Sequence, residues 1–171
     1  MPCAITGGYT ISCRESVGGV QTIWVLENSN ISSFTESSGT LSAITLVSGV
    51  SSFYKIEVPR GTGMASNAIT ANAENGTFFY THSIEFPVNS RSASVRNLVN
   101  VLAKNRCTFV TLEGDGVYRM YGAKFGLFMD NSEGSSGKGL ADRNGYMLKF
   151  SSQETDDFIV CPSGVISAKL A

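Results

Sequence analysis

His82 is the single histidine of a 171-residue chain that also carries four cysteines, Cys3, Cys13, Cys107 and Cys161. A zinc centre needs thiolates and imidazoles at short paired spacings, and these residues form neither a CxxC pair nor any zinc-binding interval. The cysteines therefore read as small buried or half-buried hydrophobes. His82 falls on the apolar side of a strand pattern, and no motif sets a Ser or Cys nucleophile beside it. It reads as a satisfied core or interface histidine, not a general base.

Three other patterns could carry chemistry. Gly134-Ser135-Ser136-Gly137-Lys138-Gly139 has the composition of a phosphate-cradling loop. The first glycine of that motif would fall at Ser132, and no Ser or Thr follows Lys138 to reach magnesium, so the segment reads as a solvated loop. Asp130, Glu133, Asp142 and the cluster Glu154, Asp156, Asp157 offer oxygen ligands for calcium, yet none has the EF-hand spacing. Asn30-Ile31-Ser32 and Asn75-Gly76-Thr77 are glycosylation sequons by pattern only. The residues predict no catalytic group, no metal and no cofactor, and hence not an enzyme.

Charge is sparse: 16% of residues are charged and the formal net charge is -1, which excludes a general electrostatic attraction to nucleic acid or membrane. Within that balance the segment from Phe86 to Leu112 holds Arg91, Arg96, Lys104 and Arg106 and no acidic residue. Arg96, Asn100 and Lys104 make a polar helical stripe. It reads as a solvated face, with contact to an acidic neighbour, for instance Glu154, Asp156 and Asp157 of another subunit, as the alternative. Phosphate binding is the weaker option, because no aromatic residues interleave these few charges.

Hydrophobic residues make up 42% of the chain, which suits one well-buried domain over residues 1–171. No apolar run approaches the roughly 18 residues of a membrane span. Met1 to Gly8 lacks the basic and apolar regions of a secretory signal, which predicts synthesis in the cytoplasm.

The elements that hold these residues are mostly strands. From Thr77 to Val88 the chain alternates, with Phe78, Tyr80, His82, Ile84, Phe86 and Val88 on one face and Thr81, Ser83 and Glu85 on the other. The period then changes: Val95, Leu98, Val99 and Leu102 define one apolar face of a lone helix over residues 92–104, with Ser92 as N-cap. Further strands are predicted at Tyr9–Cys13, Val20–Glu27, Thr40–Val47, Ile69–Glu74, Cys107–Leu112, Val117–Gly122 and Tyr146–Ser152. Val20–Glu27 is apolar on both faces, as in a covered strand or a subunit contact. Asn75-Gly76 predicts a type I′ hairpin turn. Lys124–Met129 should prolong the sheet of the preceding hairpin, and residues 131–144 read as a polar loop. Residues 48–68 read as a long, weakly patterned insertion or arm around Phe53, Tyr54, Ile56 and Val58, and residues 158–171 as a C-terminal tail ending in an arm. One helix among strands must cover a face or an end of a β-sandwich or barrel.

The order of these parts resembles the tail tube proteins of tailed bacteriophages. The resemblance rests on Glu74-Asn75-Gly76-Thr77-Phe78-Phe79-Tyr80, the helix with Ser94-Val95-Arg96-Asn97, the Gly-turn hairpin from Phe109 to Tyr121 and the strand entered at Asp142-Arg143-Asn144-Gly145-Tyr146. Cys13-Arg14-Glu15-Ser16-Val17-Gly18-Gly19 resembles the start of small phage structural proteins of the same layout. Membership would imply a β-sandwich or barrel with a flanking helix, assembled into hexameric rings that stack into the tail tube of the virion. DNA would leave the capsid through that conduit without specific binding, alongside other tail proteins as partners. It would also imply inter-ring contacts through Phe53, Tyr54, Ile56 and Val58, and it invites inter-subunit contacts through Arg96, Lys104, Asp156 and Asp157. The competing readings are a head–tail completion or capsid decoration protein, and a tube protein of a contractile injection system.

Overall fold

Two β-sheets carry the fold of the computed structural model, which describes residues 7–9 and 17–171. The strands are β1 (Val20–Glu27), β2 (Ile31–Ser37), β3 (Thr40–Leu46), β4 (Tyr54–Glu57), β5 (Met64–Asn72), β6 (Thr77–Val88), β7 (Cys107–Glu113), β8 (Tyr118–Tyr121), β9 (Phe128–Ser135), β10 (Gly145–Glu154) and β11 (Ile159–Cys161). Helix α1 (Ala93–Lys104) lies between β6 and β7, and a short helical turn, α2 (Ser163–Ile166), follows β11. The larger sheet has the order β2-β3-β11-β8-β7-β1-β4, and the smaller the order β5-β6-β10-β9. The expected β-sandwich with a flanking helix is therefore what the chain forms. The strand expected over residues 9–13 lies outside the described residues apart from Tyr9, as do Cys3 and Cys13.

The alternation read from the sequence decides the packing. Between the sheets, Ile23, Val25 and Phe109 of the larger sheet meet Ile84, Phe86, Leu148 and Phe150 of the smaller one. Three of these rings form the centre: Phe86 stacks on Phe150 at 6.0 Å, and Phe109 tilts against Phe150 at 4.8 Å. The other face of the larger sheet is buried too. There Trp24, Leu26, Val110 and Met120 pack with Leu41, Ile44, Phe53, Ile159 and Ile166. Strand β1 is apolar on both faces because its alternate residues serve two cores.

Four expectations need correction. Residues 48–68 are no arm: β4 pairs with β1 from Thr22↔Glu57 to Val25↔Tyr54, and β5 begins at Met64. The alternation there is short and only one side is covered, so it is weak in the sequence. The C-terminal tail is no arm either. It folds back over the second core, where the Trp24 indole donates to the Ala171 carbonyl at 3.0 Å and the Phe53 amide to the Lys169 carbonyl at 2.7 Å. Residues 124–129 prolong the larger sheet only at Leu127, which exchanges backbone hydrogen bonds with Cys107 at 2.9 and 2.7 Å, before the chain crosses over and β9 pairs with β10 in the smaller one. Lastly, Asn75-Gly76 is not a two-residue turn: β5 and β6 are joined by residues 73–76 with Asn72 opposite Thr77, and of these only Gly76 has positive φ. Asn72 and Asn75 accept the backbone amides of Glu74 and Thr77, so each stabilises the four-residue loop through its own side chain.

Helix α1 has the predicted cap, the Ser92 hydroxyl accepting the Val95 amide at 3.4 Å. Its apolar face is only partly used, however: Leu102 is buried and Val99 packs on the inter-sheet core, while Leu98 and Val101 remain exposed. A groove of about 330 Å³ runs beside it, lined chiefly by Val25, Leu26, Tyr54, Leu98, Val101 and Leu102.

The joint between β6 and β10 tolerates no side chain at Gly145, where a Cβ would stand 2.1 Å from the Val88 carbonyl oxygen. Gly145→Ala is expected to cost about 2 to 4 kcal/mol, because rigid backbone must move to relieve the overlap. Urea unfolding checks this through a lowered midpoint with an unchanged slope.

Candidate functional site

The smaller sheet presents a large face away from the core, and its composition follows from the same alternation that builds the core. Cross-strand partners share a face, so the register defines rows across it. Asp130, Lys149, Glu85 and Met64 form one row, and Phe128, Ser151, Ser83 and Ser66 the next. Gln153, Thr81 and Ala68 follow, and Glu133, Met147 and Pro87 lie on the other side. Lys149 is the one cation among these residues and stands directly between two carboxylates, with Glu133 adding a third. The face is thus hydroxyl-rich with an excess of negative charge. The Ser151 hydroxyl donates to Asp130 at 3.3 Å, which holds that carboxylate against the sheet.

Both edges of this sheet are unpaired among the described residues. β9 is interrupted once, by the register shift between Met147 and Lys149, and its Asp130 and Glu133 belong to the face rows, so its edge backbone groups stay open on either side of the shift. β5 is different: its nine residues, MASNAITAN, contain no charge and no proline, and its register with β6 is unbroken from Met64↔Glu85 to Asn72↔Thr77. Beyond Glu154↔Tyr80 the β5–β6 hairpin outruns β10 and leaves Phe78 exposed, while Ile69, opposite Tyr80 in that last shared row, is exposed too.

The predicted contact residues divide sharply. Phe53 and Val58 are buried in the domain's own cores, and Ile56 packs against the inter-sheet core. Phe53 and Val58 are closed off from any neighbouring molecule and Ile56 is largely covered, whereas Tyr54, at 66% exposure, is open. Arg96 and Lys104 lie exposed on α1 and make no ion pair among the described residues. Asp156 and Asp157 are engaged within the subunit. Asp156 pairs with Lys124, which holds its carboxyl below the usual range, and Asp157 accepts from the Asn67 amide at 2.7 Å and the Phe158 amide at 2.8 Å. Glu154 is buried and accepts the Phe125 amide at 3.2 Å, burial pushing its carboxyl upward. The suggested acidic partners of the helix stripe are therefore already taken.

Chemistry is equally constrained elsewhere. Among the described residues no three His, Cys, Asp or Glu side chains converge on a metal-sized site. Cys107 and Cys161 are buried, and desolvation pushes their thiols up to about 11 and about 12, far from the thiolate a nucleophile needs. In the glycine-rich loop, the Lys138 and Gly139 amides are both satisfied by Asp142 at 2.8 Å, an internal carboxylate standing where a phosphate would sit. Arg119 bridges Glu113 at 2.8 Å and Asp115 at 2.7 Å, closing the β7–β8 hairpin and leaving its one positive charge engaged by two carboxylates. The row-forming residues Ser66, Ser151, Lys149 and Glu133 were not singled out as a surface by sequence reasoning; the polar half of the β6 and β10 alternation is the signal that marks it. No helix among the described residues is long and apolar enough to cross a membrane. No family model matches the chain, and it is similar to no curated protein and no solved structure.

Proposed function

We propose that this chain is a self-assembling structural subunit of a virion tail tube, whose smaller sheets join edge to edge, β5 to β9, around a ring. The observation that carries the reading is the β5 edge. A long, uncharged edge strand with unbroken register is a template for pairing with another chain, and folded proteins ordinarily blunt such edges with lysine, proline or a bulge. Closing the sheets into a barrel removes both edges at once. The core-averted face would then line the lumen. Its hydroxyls and surplus carboxylates suit a conduit that must let DNA phosphates slide past without holding them. Stacked rings would form the tube, with the exposed Ile69 and the overhanging Phe78 available for contact at the ring boundary.

Electron microscopy of the purified protein tests this directly. The expected result is rings or long tubes, abolished by Ala68→Lys with Thr70→Lys on the β5 edge while the monomer's circular dichroism stays unchanged. Discrete capsid-binding particles would instead favour a decoration or head–tail completion protein. Tubes that survive the two lysines would overturn the edge pairing.

A further inference from the structure

Among the described residues one buried polar side chain keeps an unpartnered nitrogen. His82 of β6 is 2% exposed and sits between the two sheets. Its Nδ1 accepts the Gly122 amide, at the end of β8, at 3.3 Å. Its ring packs edge-on against Tyr121 at 5.6 Å. The histidine is thus a polar link between the smaller sheet and the larger. Its other nitrogen, Nε2, has no hydrogen-bond partner among the described residues and lies 3.9 Å from the Asp157 Oδ1. The charged groups around the same small cavity are Glu36 of β2, Lys124 and Asp156, which pair with each other, Glu154 of β10 and Asp157.

We propose that His82 is an acid-sensitive latch between the sheets: neutral, it holds the Gly122 amide, and doubly protonated, it releases that amide and turns to Asp157. The chemistry follows from the donor count. With Nδ1 accepting, the single proton of the neutral ring is on Nε2. A second proton can go only to Nδ1, where it faces the Gly122 N–H, and a hydrogen bond becomes a donor–donor contact. The imidazolium gains the Asp157 carboxylate in exchange. Gly122 keeps its carbonyl bonds to the Thr108 hydroxyl at 2.9 Å and the Asn28 amide at 3.2 Å, so the turn loosens on its amide side alone.

Burial lowers the folded-state pKa of His82 from 6.5, with Asp157 opposing the shift. The unfolded chain therefore binds the proton more readily. The latch's contribution to stability is complete above about pH 6.5 and is lost as pH falls below it. Glu154 acts in the opposite sense: its raised pKa makes the folded state the better proton binder, which favours folding as pH falls toward the carboxylate range.

Because His82 is the sole histidine, its ring resonances can be read in the intact protein without a variant. Nitrogen-15 NMR is expected to show the Nε2–H tautomer at pH 7.5 and a midpoint below 6.5. Exchange protection of the Gly122 amide should fall roughly tenfold or more along the same titration. His82→Gln, which keeps an acceptor for Gly122, should flatten the drop in melting temperature between pH 7 and 5. A midpoint at or above 6.5, the Nδ1–H tautomer, or Gly122 protection that ignores the titration would each overturn the latch.

Discussion

Replacing residues 49–63 with a short Gly/Ser linker is expected to abolish the cooperative unfolding transition. The segment contains Phe53, which is fully buried, and Ile56 and Val58, which pack on the inter-sheet core. Truncating one buried phenylalanine costs about 3 to 5 kcal/mol, and each buried aliphatic side chain contributes about 1.5 to 3 kcal/mol. The linker would also remove β4, stranding the outer backbone groups of β1 beside Trp24 and leaving the Lys169 and Ala171 backbone without their Phe53 partner. Together these losses match the whole stability of an ordinary domain, about 5 to 15 kcal/mol. Thermal and urea melts followed by circular dichroism check it. A sigmoidal melt near the wild-type midpoint would restore the segment to a dispensable arm. Phe53→Ala gives the graded version, a loss of about 3 to 5 kcal/mol with the transition still cooperative.

What the sequence revealed and what it concealed follow from how far each element depends on its neighbours. β1, β6, β10 and α1 were legible because each is long and has a regular period, and β1 even showed its two buried faces. β2 escaped notice because Ile31–Ser37 alternates weakly and lies mostly exposed at a sheet edge. β4 and the first half of β5, residues 64–68, read as an insertion for a related reason, while the second half of β5 is the strand expected from Ile69. β4 is four residues long, and residues 64–68 are small or polar apart from Met64, so neither writes a strong alternation. β9 hid behind Asp130-Asn131-Ser132-Glu133-Gly134, a composition typical of loops, stabilised as a strand by pairing with β10. The candidate surface was half legible. Thr81, Ser83 and Glu85 mark a polar strand face in the sequence alone, but the neighbours that complete it come from β10 and β9, some 45 to 70 residues away. An open edge is not a property of a strand at all. It is the absence of a neighbour, and only the pairing of the other strands reveals it.

The second large effect is expected on that polar face. Thr81→Lys, Ser83→Lys and Ser151→Lys together should convert a protein that ignores duplex DNA into one that binds it. The wild-type face sets Lys149 against Glu85, Asp130 and Glu133, so phosphates approaching it meet surplus negative charge and release no counterions. Three added lysines reverse the sign. The three positions lie in adjoining cross-strand rows on the side away from the core, so the substitutions should change stability by only about 0.5 kcal/mol each. Fluorescence anisotropy with a labelled duplex is expected to show no saturable binding for the wild type at micromolar protein near physiological salt. The triple variant should bind saturably, and its affinity should fall with salt at a log–log slope of about -0.9 for each phosphate neutralised. Assembly should amplify the gain, because a closed ring would point every copy's lysines at the same duplex. Saturable, salt-sensitive binding by the wild type would make this face a nucleic-acid interface and defeat the conduit reading. A triple variant that assembles into tubes yet binds no duplex, even when assembled around it, would mean that the lumen is lined by some other surface, because charge alone suffices for non-specific attachment wherever DNA can reach.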